Sequence, residues 1–186
     1  DKRAIDNYTR ADIIKPDTLW TLRHIAQCYR LLGEPEKALS FYLLAEEIAP
    51  EDLSLLRQTG ECMTTLKRYD EAFSRFFKVE YLKPGSINIL RAIAWCSFLT
   101  GKDGQAQKYY SRIMESPKAE FTDYMNAAHV EWAMGKNNAA ASLYSKAKEL
   151  GGAAFIKSME KDRTTLRERG MSDAEIDMLI DMLDGE

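Results

Sequence analysis

Residues 19–52 read LWTLRHIAQCYRLLGEPEKALSFYLLAEEIAPED, and residues 53–86 read LSLLRQTGECMTTLKRYDEAFSRFFKVEYLKPGS. The second stretch restates the first in residue type, 34 positions later, and two further copies start at Ile87 and Phe121. The eighth position of the four copies is Ala26, Gly60, Ala94 and Ala128. The twentieth is Ala38, Ala72, Ala106 and Ala140, and the twenty-fourth is Tyr42, Phe76, Tyr110 and Tyr144. The twenty-seventh is Ala45, Val79, Ile113 and Ala147. A large residue holds the fourth position as Leu22, Leu56, Leu90 and Tyr124. Proline closes a copy at Pro50 and Pro84 and, one place early, at Pro117.

Two antiparallel helices pack closely only where small side chains let their backbones approach. Positions 8 and 20 supply such faces, and the aromatic at 24 fills the space above them. Gly33, Gly101 and Gly135 share position 15, where a first helix ends and glycine tolerates a left-handed cap. Lys67 stands there in the second copy, so that turn is expected to close another way. The prolines stop each second helix and reset the chain. A helix pair of this kind cannot bury its apolar face alone, so successive pairs must stack into one core. This period and pattern resemble the tetratricopeptide repeat. The resemblance implies an all-α fold, a right-handed superhelical solenoid of antiparallel helix pairs.

The register divides the chain into repeats at 19–52, 53–86, 87–120 and 121–152. Stepping back from Leu19 puts Pro16 at position 32, Ala4 at 20, Tyr8 at 24 and Ala11 at 27. Residues 1–18 are therefore expected to be the second helix of an earlier, truncated repeat. Opening in mid-repeat at Asp1 reads as a fragment of a longer protein; the alternative is a lone capping helix. Residues 153–186 form a degenerate fifth unit. A Gly151–Gly152 break leads to a helix over 153–168, ended at Gly170. Ser172 with Glu175 is a capping box for a last amphipathic helix. Its role is expected to be a cap, with Ala174 at position 20 docking on the array. The rival is a helix folded back over Trp132 as an internal ligand.

Composition excludes several function classes. Net charge is −3, with 26 Lys and Arg against 29 Asp and Glu, which gives no global basic field for nucleic acid. No apolar run reaches the roughly 18 residues of a membrane span, since Arg91 interrupts the best stretch. Cys28, Cys62 and Cys96 recur at position 10, as small buried hydrophobes rather than disulfide partners. Unpaired thiols favour a reducing compartment, here the cytoplasm. Two histidines 105 residues apart offer no metal-ligand spacing, and neither a nucleophile–base pair nor a phosphate loop is evident. The chain is therefore expected not to be an enzyme and to need no cofactor.

Function is then sought on the surface. The family resemblance implies that first helices line a concave groove through positions 2, 5, 6, 9, 12 and 13. Position 5 is Arg23, Arg57, Arg91 and Met125. Position 9 is Gln27, Glu61, Trp95 and His129, and position 12 is Arg30, Thr64, Phe98 and Trp132. Position 2 contributes Trp20 and Asn88, and position 6 contributes His24, Gln58 and Asn126. The N-terminal half is basic and polar and the C-terminal half aromatic, which suits an extended peptide with acidic residues at one end. The alternatives are plain packing: arginine stems cover apolar surface, Arg57 pairs with Glu61, and the aromatics are buried by neighbours. Some family members clamp chaperone-tail carboxylates, but Asn88 and Ala92 stand here where that clamp needs cations. The expected function is a protein-interaction scaffold for a peptide or partner helix. The alternative is a structural or self-association arm, with a homodimer formed through the exposed solenoid end.

Overall fold

The computed structural model describes residues 18–184. The expected helix over residues 1–18, with Ala4, Tyr8 and Ala11 on its inner face, lies outside the described residues apart from Thr18. So does the side chain of Leu183. Among the described residues there are ten α-helices and no strand. The chain divides into two compact units, Asp1–Ile89 and Leu90–Glu186.

The first unit holds α1 (Leu19–Leu31), α2 (Pro35–Ile48), α3 (Leu53–Thr65) and α4 (Tyr69–Leu82). Helices α1 and α2 pack as a pair, α3 and α4 as a second, and α2 joins them by packing on α3. Each first helix has a capped start. Thr18 Oγ1 accepts the Thr21 amide at 3.2 Å, and Asp52 Oδ1 accepts that of Leu55 at 2.8 Å. Pro35 opens α2, where a missing N–H costs nothing. Ala26, Ala38, Tyr42 and Ala45 are fully buried between α1 and its neighbours. The second pair keeps this arrangement with Gly60 against Phe76. A methyl group on Gly60 would come within 2.7 Å of the Phe76 ring, so the phenyl occupies the space alanine takes in the other copies.

The expectation for Lys67 needs correcting. Its φ is +58°, in the same left-handed region as Gly33 at +74°. The hydrogen bonds are the same too. Gly33 and Glu34 donate to Arg30 and Tyr29, and Lys67 and Arg68 donate to Thr64 and Met63 at 3.0 and 2.9 Å. The closing geometry is fixed by the helix pair, and the lysine backbone is forced into it.

The second unit holds most of α5 (Ile87–Leu99), then α6 (Asp103–Met114), α7 (Phe121–Ala133), α8 (Asn137–Gly151), α9 (Ala153–Glu168) and α10 (Asp173–Asp184). Pro117, one place early in sequence, accompanies an α6 of 12 residues against the 14 of α2 and α4. Helix α7 packs between α6 and α8, and α9 packs on both α8 and α7. Phe155, Met159 and Leu166 of α9 and Ile176 of α10 are fully buried.

The expected docking of Ala174 is a second correction, for Ala174 is exposed. Helix α9 runs for 16 residues against the 13 of α7, and its turn closes at Gly170, φ +100°, one place beyond the repeat position. One residue turns a helix by about 100°. The consensus face, Ala174, Met178 and Asp181, is therefore exposed, while Met171 and Ile176 are buried.

Candidate functional site

In the first unit, a pocket of about 420 Å³ lies between α1 and α3, lined by Leu19, Trp20, Arg23, His24, Gln27 and Gln58. The last five are positions 2, 5, 6 and 9 of one repeat and position 6 of the next. Trp20 is 57% exposed, and its ring lies against His24 at a tilt of 33° with centroids 4.1 Å apart. His24 Nδ1 is 2.7 Å from the Trp20 carbonyl, which fixes the imidazole's orientation. Gln27 and Arg30 are exposed one and two turns further along α1. Arg30 also opposes the upward push that burial gives the Tyr42 hydroxyl.

The three position-5 arginines are each held by carboxylates of this chain. Arg23 donates to Asp52 at 3.2 Å, to Ser54 at 3.1 Å and to Gln58 at 3.4 Å. Because Asp52 also caps α3, Arg23 ties the first repeat to the opening turn of the second. Arg57 pairs with Glu61 on its own helix. Arg91, in the second unit, makes a bidentate bond to Asp123 at 2.8 and 2.7 Å and reaches the Lys118 carbonyl at 3.0 Å. Asp123 is buried and also accepts the Glu120 amide at 2.8 Å, so the pair bolts α5 to the start of α7. The Asp123 carboxylate holds the Arg91 guanidinium above its already high ordinary value. Asn88 is exposed at the start of α5.

A cavity of about 550 Å³ lies in the second unit between α5, α7 and α9. Arg91, Trp95 and Asn126 face it from the repeats, and Lys161, Asp162 and Thr165 face it from α9. The residues from α9 were missed by sequence reasoning. The signal was there: Phe155, Met159, Asp162 and Leu166 form one helical stripe, and a single acid in an apolar stripe implies a polar partner. His129 Nε2 lies 3.6 Å from Asp162, beyond hydrogen-bond reach, and His129 Nδ1 is 2.6 Å from the Tyr144 hydroxyl.

The expectation that Phe98 and His129 line an open groove is corrected. Both are fully buried, in an aromatic run from Trp95 through Phe98, His129 and Tyr144 to Phe155. Arg169 covers Phe98, with its guanidinium 5.0 Å from the ring centre, while gripping Asp103 at 2.6 and 2.7 Å. Burial drives the Tyr144 hydroxyl far above its ordinary value. Trp132 is not brought together with Trp95. It lines a separate pocket between α8 and α10. All three cysteines are buried and in thiol form, and burial pushes the Cys62 thiol up. Among the described residues no helix is long and apolar enough to cross a membrane.

The tetratricopeptide repeat family model matches residues 24–52, most of the first repeat. No curated protein matches the chain in sequence. Several solved structures do resemble it in fold. MamA has a TM-score of 0.71 at 14% identity, over 78% of this chain and 85% of its own. YrrB, a tetratricopeptide protein described as having an unusual peptide-binding site, has a TM-score of 0.68 at 16% identity, over 98% and 95%. A tetratricopeptide repeat protein from Parabacteroides merdae has a TM-score of 0.62 at 22% identity, over 100% and 78%. Four copies of a 34-residue pattern, folded as helix pairs with this likeness, give the chain a tetratricopeptide-repeat fold.

Proposed function

We propose that the chain is a non-catalytic protein-interaction module whose first unit holds an extended peptide between α1 and α3. The observation that carries this proposal is the pocket around Trp20. It pairs an exposed, pre-oriented aromatic with polar groups that suit a peptide backbone and an acidic side chain near Arg23. Asp52 already offsets part of the Arg23 charge, so an acidic residue is a preference here and not the main source of affinity. YrrB gives a precedent for a peptide on this fold. Three thiols without disulfide partners suit a reducing compartment such as the cytoplasm.

The test is selection of peptides from a random display library on the whole chain, followed by binding to Trp20→Ala and Gln27→Lys. Both positions are exposed, so neither change should unfold the protein. Selected peptides should lose roughly tenfold in affinity, about 1.4 kcal/mol, for at least one variant. Unaltered affinity for both would sink the proposal.

A second reading, self-association, is favoured by one feature of α4. Phe77 and Tyr81 are 46% and 78% exposed, and Phe77 stacks on Phe73. If this face joins two copies, Phe77→Glu with Tyr81→Glu turns a dimer into a monomer by light scattering; a wild-type monomer removes the reading.

A further inference from the structure

We propose that the cavity between α5, α7 and α9 binds a free α-amino acid with an apolar side chain, its ammonium group innermost. All the residues that line this cavity belong to the second unit, so the site does not depend on the Trp20 pocket.

The walls follow from helix periodicity. Ser158, Lys161, Asp162 and Thr165 stand at i, i+3, i+4 and i+7, which puts four polar side chains on one face of α9. All four line the cavity, beside the buried stripe of Phe155, Met159 and Leu166. From α5 and α7, Ala92, Trp95 and Met125 add an apolar stretch. The volume of about 550 Å³ falls within the range of small-molecule sites, roughly 300–1,000 Å³.

The hydrogen-bonding groups left over at this cavity select what enters it. The Asn126 carboxamide oxygen is buried and accepts no hydrogen bond among the described residues. The Asp162 side chain is only 19% exposed. Beside it His129 is wholly buried, and its Nε2 has no hydrogen bond and lies 3.6 Å from the Asp162 carboxylate. A buried acceptor without a donor is costly, and a charged one more so, so acceptors left open on a cavity wall mark where a ligand donates. Arg91 cannot serve them, because its guanidinium is taken by Asp123 and the Lys118 carbonyl. An ammonium group is all donor and no acceptor, and so suits this end. A carboxylate there would meet Asp162 and Asp123.

The rim has the opposite character. Lys161 is exposed, and Arg91 is 24% exposed at its side chain, so a carboxylate is drawn outward. Arg91 and Lys161 balance Asp123 and Asp162, so a ligand that carries one charge of each sign enters without upsetting the site. The two charged ends then leave the ligand's side chain to lie against Trp95 and Met125.

The test titrates the apolar L-amino acids, alanine through phenylalanine, into the full chain carrying Trp20→Phe and Trp132→Phe, so that emission comes from Trp95. At least one should change that emission and saturate below ~10 mM. Its N-acetyl derivative, which lacks the ammonium, should bind roughly tenfold more weakly, and its amide, which lacks the carboxylate, several-fold more weakly. Asp162→Asn, close in shape, should weaken binding roughly tenfold, and Lys161→Ala several-fold. Lys161 is at the surface, so that variant carries the test if Asp162→Asn alters the melting curve. Equal binding of the N-acetyl form would put a carboxylate innermost, and equal binding of the amide would give the site to the N-terminus of a peptide; either overturns the proposal. Saturation by none of the amino acids, or wild-type affinity in both variants, overturns it as well.

Discussion

Lys67 shows how a repeat constrains a single residue. Its backbone sits at φ +58°, where a side chain costs ~1–2 kcal/mol relative to glycine. Lys67→Gly removes that cost but loosens the unfolded chain by ~0.4–1 kcal/mol. The net expectation is a gain of about 0.5–1 kcal/mol, read as a higher urea midpoint at unchanged slope. A lower midpoint would mean that the lysine side chain matters more than its backbone. From sequence, a lysine in a glycine's place suggested a different turn. The two are indistinguishable there because the geometry is imposed by the packing of α3 on α4, not by residue 67. Gly60 is the opposite case. Its smallness could be read from position alone, and only the 2.7 Å approach of Phe76 shows why alanine is excluded.

At the scale of the element, α9 and α10 account for most of what the sequence concealed. The capping box was legible: Ser172 donates to and accepts from Glu175 at 2.8 and 3.3 Å, and α10 starts at Asp173. The register of α10 was not, because counting by 34 assumes a first helix of fixed length, and α9 is longer. The burial of Phe98 and His129 was hidden because it depends on the degenerate C-terminal unit, where α9 packs on α7 and Arg169 covers Phe98. Arg163 is the joint between these helices, bonded to Glu160, Asp173 and Asp177 at 2.7–3.3 Å. Arg163→Ala should lower amide protection across α10 and leave α7 unchanged; equal protection would deny the joint. Acid should do the same to the wild type. Arg163 holds the Glu160 carboxyl below its ordinary value, and Ser172 does so for Glu175. Depressed values mean stabilisation that is present above ~pH 4.3 and lost as the pH falls through the lower native values. Protection in α10, corrected for intrinsic exchange, should therefore decline before that of α7.

At the scale of the molecule, stability in a repeat array is local, a sum of units and neighbour contacts. Asp123 is 1% exposed and carries two guanidinium bonds from the partly exposed Arg91, so Asp123→Ala should cost the second unit about 1.5–3 kcal/mol. Urea unfolding followed by single tryptophans at 20 and at 132 should then show the Trp132 midpoint falling while the Trp20 midpoint holds. Equal shifts at both would show one cooperative block. The arginine braces also give the chain a direction. Arg23 is answered by Asp52, 29 residues later, and Arg91 by Asp123, 32 residues later. On a ribosome, therefore, each braced repeat emerges complete but unlatched. It is locked only when the first turn of its successor leaves the exit tunnel, and the growing protein fastens itself one step behind its own synthesis.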